Sequence, residues 1–168
     1  RHQRYEAYIL EEVLPLSEQL NRGSYLMTHG CSLGGFHAVN IALRHATRFG
    51  KAVALSGRFD LTQNIEHFRD LLDGHRDDLV YFHTPNSYLP NLHDGHQIGQ
   101  LRRLEVVLVI GDADPFFDQN YRLAQALGAR PFVHVVEEFA ALPGGGRRRN
   151  GADDAPTFDD AGEPAEAR

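Results

Sequence analysis

Short runs of consecutive apolar residues, separated by helical patterns, constrain the fold of this chain more than any other feature. The strongest run is residues 106–110, and residues 52–55 and 132–136 are of the same kind. Runs of this type are typical of strands in a parallel sheet that is buried on both faces. Helical patterns cover residues 34–48 and 120–127, so strand and helix alternate. This alternation predicts an α/β fold, a parallel sheet with helices on both faces.

The chain opens with an amphipathic helix pattern over residues 5–20, with Pro15 as a predicted kink or boundary. Its apolar side chains have the spacing of one helical face: Tyr5, Tyr8, Ile9, Val13, Leu16 and Leu20. Residues 25–28 then predict a strand. In the helix that follows, we expect these side chains to be available for burial: Phe36, Val39, Ile41, Ala42 and Leu43.

A long connection, residues 58–103, separates the second and third predicted strands. We expect it to contain two helices and an irregular segment around residues 81–91. The Pro, Asn, Tyr and His residues of that segment suit a lid over a pocket, and they suit an ordinary surface connection equally well. The sequence leaves these two alternatives open.

We expect one partial globular domain over residues 1–142, and composition predicts a disordered tail over residues 143–168. The chain has 168 residues, of which 42% are hydrophobic, enough for one ordinary domain and its core. The tail is dominated by Gly, Arg, Asp, Ala, Pro and Glu, and Phe158 is its single large apolar residue. Such a composition buries too little surface to offset the entropy lost on ordering the chain.

Charge and hydropathy exclude several classes of function. A net charge of −6 argues against a nucleic-acid surface, and we expect the basic run at residues 147–149 to be solvated. No apolar run approaches the about 18 residues of a membrane-spanning helix. The single cysteine, Cys31, excludes an internal disulfide and fits a reducing compartment, so we expect a cytoplasmic protein. Because the chain begins at Arg1 without a signal-like segment, we expect its natural N-terminus to be missing.

The motif Gly30-Cys31-Ser32-Leu33-Gly34-Gly35 follows a predicted strand and precedes a predicted helix. In this context Gly-x-Ser-x-Gly indicates a nucleophile elbow, in which a strained turn presents the serine hydroxyl. The backbone N–H of Leu33, the residue after the serine, is the predicted first donor of an oxyanion hole. Cys31 occupies the x position, where we expect a packed thiol. The alternative is a glycine-rich turn without chemistry.

Four segments together resemble a bacterial esterase family of α/β-hydrolase fold, the family related to esterase D and the mycolyltransferases. They are residues 1–14, 30–36, 81–92 and 111–115, and the resemblance covers roughly residues 1–139. It implies most of the C-terminal half of an α/β-hydrolase fold. It also implies hydrolysis of a small-molecule carboxylic ester through an acyl-enzyme on Ser32. Acyl transfer to an alcohol would use the same residues.

The resemblance places the catalytic acid at Asp114, which follows the strand at residues 106–110. In this fold the chain order is serine, acid, histidine, and the acid orients the histidine and stabilises its protonated form. Asp112 and Asp60 are the alternatives. A further alternative is that Asp114 only caps the next turn. No cofactor or metal is implied, since His93 and His96 lack further ligands nearby, and the oligomeric state stays open.

The general base is missing from its expected position. The resemblance places a histidine near residues 140–145, yet the sequence contains none after His134, which falls in a predicted strand. We expect His29 and His37 to be structural neighbours of the site. A second oxyanion donor is expected from a loop outside this chain. Turnover should therefore be impaired, either because the reading frame shifts near residue 139 or because the chain is a catalytically inactive binding module.

Overall fold

Four parallel strands form a sheet in the order β1-β2-β3-β4. The computed structural model describes residues 2–23, 25–128 and 134–139, with His2 and the last strand described by their backbone alone. The strands are β1 (Met27–Cys31), β2 (Lys51–Leu55), β3 (Glu105–Gly111) and β4 (His134–Phe139). The predicted parallel sheet with helices is confirmed.

Backbone hydrogen bonds align the carboxyl ends of the first three strands. Cys31 pairs with Leu55, and Leu55 pairs with Val109. Just beyond β1, the Ser32 N–H donates to the Leu55 carbonyl at 2.9 Å. Just beyond β2, the Ser56 N–H donates to the Val109 carbonyl at 2.8 Å. The residues that follow β1, β2 and β3 therefore meet along one edge of the sheet, where ligands of open α/β sheets bind.

Two long helices connect the strands, α3 (Leu33–Arg44) between β1 and β2 and α7 (Phe117–Gly128) between β3 and β4. All five positions expected for burial on α3 are buried. One apolar cluster joins α3 and α7 to alternate positions of the strands, which are Ala52, Ala54, Val106 and Leu108. The core therefore lies between this face of the sheet and the helices.

The other face of the sheet is covered less completely by the described residues. Val53, Leu55, Val107 and Val109 are half-buried, so burial alternates along β2 and β3 instead of being continuous. Within the described part of the chain, α3 and α7 therefore cover one face of β2 and β3 more completely than the other face is covered. Apolar runs show that a strand can be buried on both faces, but the packing of other elements determines whether it is.

The N-terminal helix has a different buried face from the one predicted. It consists of α1 (His2–Tyr8), a π-helical turn (Ile9–Val13) and α2 (Leu14–Leu20). Tyr5, Leu16 and Leu20 are exposed, whereas Glu6 and Leu14 are buried. The π-helical turn has wider hydrogen-bonded rings than an α-helix, so the positions before and after it no longer follow one period of 3.6 residues.

The connection from β2 to β3 is irregular in its first part and helical in its second. Its helices are α4 (Asp78–Phe82), α5 (Pro85–Tyr88), a 3₁₀ turn (Leu89–Asn91) and α6 (Gly95–Leu101). The prediction of an irregular segment around residues 81–91 is therefore wrong. Start signals explain the helices, because the Asp77 carboxylate accepts from the Val80 N–H at 2.8 Å and Pro85 lies in a first turn.

Within the described ranges, no helix combines the length and the apolar character that crossing a bilayer requires. The predicted tail, residues 143–168, and the predicted domain boundary at residue 142 lie outside the described residues. The loop at residues 140–145, where the resemblance places a histidine, also lies outside them.

Candidate active site at the carboxyl edge of the sheet

Ser32 lies between β1 and α3 with φ 52° and ψ −116°. Non-glycine residues seldom adopt positive φ, and such strain persists only where the surroundings hold it. Here three backbone hydrogen bonds hold it. The Ser32 N–H donates to Leu55, and the Ser32 carbonyl accepts from Phe36 at 3.1 Å and from Arg58 at 3.2 Å. The turn therefore has the sharp strand-to-helix geometry that the motif predicts.

The glycines of the motif differ in what they do. A Cβ on Gly30 would lie 2.2 Å from the backbone carbon and oxygen of Gly34. A Cβ on Gly35 would lie 3.2 Å from both the Ala54 Cβ and the Gly57 Cα. At Gly34 a Cβ would meet nothing within 4 Å. The turn therefore requires glycine at Gly30, close packing of α3 on β2 favours it at Gly35, and space does not require it at Gly34.

The first turn of α3 begins immediately after Ser32, at Leu33. N–H groups in the first turn of a helix have no carbonyl partner within that helix. The positive end of the helix dipole adds to their attraction for negative charge. The Leu33 N–H is thus a donor next to the serine, and the Leu33 side chain is 39% exposed.

Three carboxylates follow the strands at this edge. Asp114 comes after β3, is half-buried, and accepts from the Phe116 N–H at 2.8 Å through Oδ1. Asp60 comes after β2 and accepts from the Thr62 N–H at 2.9 Å. Asp112 is exposed. The Asp114 carboxylate thus accepts a hydrogen bond within the turn that leads into α7, and Asp114 follows β3, which lies two strands away from β1 in the sheet.

No histidine side chain that the structure describes hydrogen-bonds to the Ser32 hydroxyl. His29 is exposed on β1. His37 is half-buried, with its ring centroid 4.6 Å from that of Tyr5, and burial lowers the pKa of its imidazole. His134 is the first residue of β4, as the predicted strand places it. Its side chain lies outside the described part of the structure.

Cys31 is exposed, so the prediction of a packed thiol is wrong. Its strand lies at one end of the strand order, and its partner across the sheet, Leu55, lies on the half-buried face. The motif predicted correctly that Ser32 occupies the turn. It could not predict how much of the sheet face beside it is covered.

Two polar side chains of α7, which the sequence analysis missed, hydrogen-bond to the backbone of the segment that follows β2. Asn120 is fully buried and donates to the Gly57 carbonyl at 2.7 Å. Gln119 accepts from the Asp60 N–H at 2.9 Å and donates to the Asp60 carbonyl at 3.2 Å. The sequence does carry a signal for this role, because the amide side chains Gln119 and Asn120 are adjacent in the first turn of α7.

Arg58 is a second missed residue, and only 4% of it is exposed. Its guanidinium carbon lies 5.9 Å from the ring centroid of Phe68 and 5.8 Å from that of Phe116. The guanidinium donates to the carbonyl of Gln63 at 3.1 Å and to the carbonyl of Arg69. Burial lowers its pKa, while Asp70 and Asp60 raise it. Arg58 therefore fixes the irregular segment after β2 from inside.

Within residues 3–23 and 25–128, no cluster of three or more His, Cys, Asp and Glu side chains could hold a metal ion. His93 and His96, weighed as ligands in the sequence, lie on an exposed surface. In the described structure, His96 pairs instead with the Gln100 side chain at 2.9 Å.

Comparisons with known proteins show the fold and the family of the chain. Solved structures of similar fold include a ferulic acid esterase (TM-score 0.62, 22% identity) and an S-formylglutathione hydrolase from Agrobacterium tumefaciens (TM-score 0.62, 21% identity). A third is the S-formylglutathione hydrolase FrmB from Staphylococcus aureus, with a TM-score of 0.57 and 20% identity. The matches cover 81%, 81% and 80% of this chain and 53%, 49% and 55% of those chains. The chain thus spans about half the length of these structures.

At sequence level, no curated protein matches the chain significantly. The profile of the family "Putative esterase" matches residues 1–158. This match extends beyond residue 139, where the sequence resemblance was expected to end. Since it covers far more than half of the chain, the chain belongs to the esterase family of the α/β-hydrolase fold.

Proposed function

We propose that the carboxyl edge of the sheet carries a serine ester-hydrolase site in which Ser32 is the nucleophile. The observation that carries this proposal is the backbone of Ser32, a non-glycine residue at φ 52° between a parallel strand and a helix N-terminus. Strain of this kind costs about 1–3 kcal/mol and concentrates at functional sites. Family membership and the named esterases among the similar structures support the same reaction class.

In the first step the Ser32 Oγ attacks the carbonyl carbon of a small-molecule ester. An oxygen–carbon bond forms, the hydroxyl proton passes to a base, and the carbonyl oxygen becomes an oxyanion beside the Leu33 N–H. Collapse of this intermediate breaks the bond to the alcohol, which leaves with a proton, and the acyl group stays on Ser32. Water then attacks the acyl-enzyme, releases the carboxylic acid and restores the hydroxyl.

We propose Asp114 as the acid that orients the base, with Asp112 and Asp60 as alternatives at the same edge. No described histidine side chain hydrogen-bonds to the Ser32 hydroxyl, and the sequence has no histidine after His134. We therefore expect slow turnover. Loss of one triad member in a serine protease still leaves rates about 10³–10⁴ times those in water, because oxyanion stabilisation and binding remain.

The test is labelling by an alkyl fluorophosphonate, read by intact mass and peptide mapping. Attack by Ser32 forms an oxygen–phosphorus bond and expels fluoride. The matched control is Ser56→Ala, since Ser56 also has positive φ, 47°, and follows the neighbouring strand. We expect label on Ser32 in the original chain and in Ser56→Ala, and none at that position in Ser32→Ala. Folded protein that labels equally with and without the Ser32 hydroxyl would refute the nucleophile.

A second candidate function is a catalytically inactive hydrolase-fold module that binds a ligand or a partner. The observation that favours it is the lack of a histidine partner for Ser32 among the described side chains. This candidate predicts a well-folded chain whose Ser32 stays unlabelled after long exposure to the fluorophosphonate. Hydrolysis of p-nitrophenyl acetate should then be identical in the original chain and in Ser32→Ala.

A further inference from the structure

The side-chain amide of Asn120 connects the segment that holds Ser32 to the turn that carries Asp114. Asn120 lies in the first turn of α7 and is fully buried. Its Nδ2 donates to the Gly57 carbonyl at 2.7 Å and to the Phe116 carbonyl at 2.9 Å. Since an amide nitrogen carries two hydrogens, both donors are used, one on each segment.

The Gly57 side of this connection leads to the backbone of Ser32. Gly57 precedes Arg58, whose backbone N–H donates to the Ser32 carbonyl at 3.2 Å. Gly57 also packs closely against α3, because a Cβ on Gly35 would lie 3.2 Å from the Gly57 Cα. One of the three backbone hydrogen bonds that hold Ser32 at positive φ is therefore made by a segment that Asn120 holds in turn.

The Phe116 side of the connection leads to the Asp114 carboxylate. The Phe116 N–H donates to Asp114 Oδ1 at 2.8 Å. The Phe116 carbonyl accepts from the backbone N–H of Asn120, at 3.1 Å, as well as from its side chain. Phe116 is buried, so water competes little for these groups. A path of hydrogen bonds and short backbone steps therefore runs from Ser32 through Asn120 to Asp114.

The Asn120 side chain is not the one that packing alone favours at this position. Its Oδ1 is buried and has no hydrogen-bond partner among the described residues, and an unsatisfied buried acceptor destabilises the folded state. The neighbouring Gln119 differs, because its amide oxygen accepts from the Asp60 N–H. Leucine in place of Asn120 would avoid the unpaired oxygen, but it would supply neither donor. The two donated hydrogen bonds therefore explain the presence of an amide here.

We propose that Asn120 is a positioning residue for the reaction of Ser32, which fixes the serine turn relative to the turn that carries Asp114. The proposal rests on the proposed function and adds a residue outside the elbow motif. Asn120 touches no reacting atom. It acts on the Ser32 carbonyl through residues 57 and 58, and on the Asp114 carboxylate through Phe116. Misplacement of reacting groups by about 1 Å can slow a reaction by about 10²-fold.

The first experiment measures the coupling between Asn120 and Ser32 without any reaction. Asn120→Leu removes both donors and keeps a branched side chain of similar size. Ser32→Gly and Ser32→Ala are made in the original chain and in Asn120→Leu, and the urea midpoints of all four proteins are compared. Glycine relieves the strain at φ 52° and alanine does not. The advantage of glycine should fall to less than about half in the Asn120→Leu background, because the turn can relax. An advantage that is absent in the original chain, or equal in both backgrounds, would overturn the coupling.

The matched control is Asn40→Leu. Asn40 is also a buried asparagine whose Nδ2 donates to a backbone carbonyl and whose Oδ1 has no hydrogen-bond partner among the described residues. Its bond joins α3 to His83 at the end of α4, and not to the segment after β2. Asn40→Leu should lower the urea midpoint but leave the glycine advantage at residue 32 unchanged. If Asn40→Leu and Asn120→Leu reduce that advantage equally, the effect is a general loosening and the positioning role is refuted.

The second experiment measures the rate at which an alkyl fluorophosphonate labels Ser32, with Asn120→Asp as the conservative variant. A carboxylate cannot donate to the carbonyls of Gly57 and Phe116, so labelling at about pH 8 should be at least about tenfold slower than in the original chain. Burial raises the pKa of such a carboxyl, and its protonated form donates one hydrogen bond. The ratio of the variant's rate to that of the original chain should therefore rise as the pH falls. Groups common to both proteins cancel in this ratio, and a ratio that does not change with pH would contradict the proposal.

The two experiments separate the positioning role from the proposed function. If Ser32 is not labelled in the original chain, the proposed reaction fails, and the comparison of glycine with alanine still decides whether Asn120 holds the Ser32 turn. If Ser32 is labelled equally fast in the original chain, in Asn120→Leu and in Asn120→Asp, the nucleophile stands and the positioning role is refuted. Circular dichroism verifies that each variant is folded.

Discussion

The backbone of Gly34 occupies the position that a side chain on Gly30 would need, since a Cβ on Gly30 would lie 2.2 Å from the Gly34 carbonyl carbon and oxygen. Real Cβ atoms do not approach backbone atoms so closely, and neither backbone segment can move without disturbing the turn around Ser32. This close approach explains why the turn requires glycine at Gly30.

Gly30→Ala should therefore be destabilising and should disturb the turn. We expect a loss of at least about 1–3 kcal/mol in the free energy of unfolding, the usual cost of overpacking, together with loss of Ser32 labelling. The matched control is Gly34→Ala, which has open space at its Cβ and should be neutral or stabilising because alanine favours the helix. Urea denaturation of both variants tests this, and similar losses in the two would contradict the geometry.

Ser32→Gly should be more stable than Ser32→Ala, by about 1 kcal/mol. Both variants lack the hydroxyl, but alanine keeps the Cβ that is strained at φ 52°, and glycine does not. Ser17, inside α2, is the comparison site. There the helix favours alanine, so Ser17→Ala should be more stable than Ser17→Gly. Chemical denaturation measures the four stabilities. If the alanine variant is the more stable one at both sites, Ser32 is not strained.

Arg58→Met should loosen the segment that follows β2. Methionine retains part of the apolar packing between Phe68 and Phe116, but it removes the donors to the carbonyls of Gln63 and Arg69. Hydrogen bonds from a charged group contribute about 1.5–3 kcal/mol. We expect a loss of that size and faster proteolysis within residues 62–72. Arg122→Met, at an exposed position on α7, should change neither quantity, and equal proteolysis of the two variants would count against the role of Arg58.

Glu6 should make stability depend on pH in the acid range. Burial alone would raise the pKa of this carboxyl, but hydrogen bonds with His45 and Arg44 and the charge of Arg44 outweigh it, so the pKa lies below its ordinary value of 4.5. The unfolded chain then binds a proton more readily than the folded chain. The contribution of Glu6 to stability is therefore present above pH 4.5 and is lost as the pH falls through the lower folded-state pKa.

Glu6→Gln should accordingly be less stable than the original chain at pH 7, and the difference should shrink below pH 4.5. His37, whose pKa is also lowered, reduces stability below pH 6.5 in both proteins, so the difference between them isolates Glu6. Glu11→Gln changes an exposed carboxylate on the π-helical turn and serves as the control. Urea denaturation at several pH values checks this. If the difference in the free energy of unfolding between Glu6→Gln and the original chain does not change with pH, the folded protein does not stabilise the Glu6 carboxylate.

Much of the fold could be predicted because its signals are local. The apolar runs at residues 52–55 and 106–110 correspond to β2 and β3, and the elbow motif marks the junction of β1 and α3. Five apolar residues of α3 were correctly expected in the core. Each of these features depends on a period of burial or on a turn that a few neighbouring residues determine.

The positions that the sequence could not predict depend on contacts between distant segments. The exposure of Cys31 depends on what covers the sheet beside it. The roles of Arg58, Gln119 and Asn120 depend on the meeting of β2, α7 and the connection between β2 and β3 at one edge. The buried face of the N-terminal helix differs from the predicted one because a π-helical turn interrupts the helical period. No residue type in this segment predicts such a turn.

By itself, the sequence determined that this chain forms a parallel α/β sheet with a serine turn at a helix N-terminus. Short-range sterics and the burial of apolar runs are enough for that. Only the tertiary structure decided which residues surround the turn, because packing brings together side chains that lie far apart in the chain. A cavity beside Leu33 is of this kind. Its lining comes from α1, from the first turn of α3 and from the connection between β2 and β3, and only folding brings these segments together.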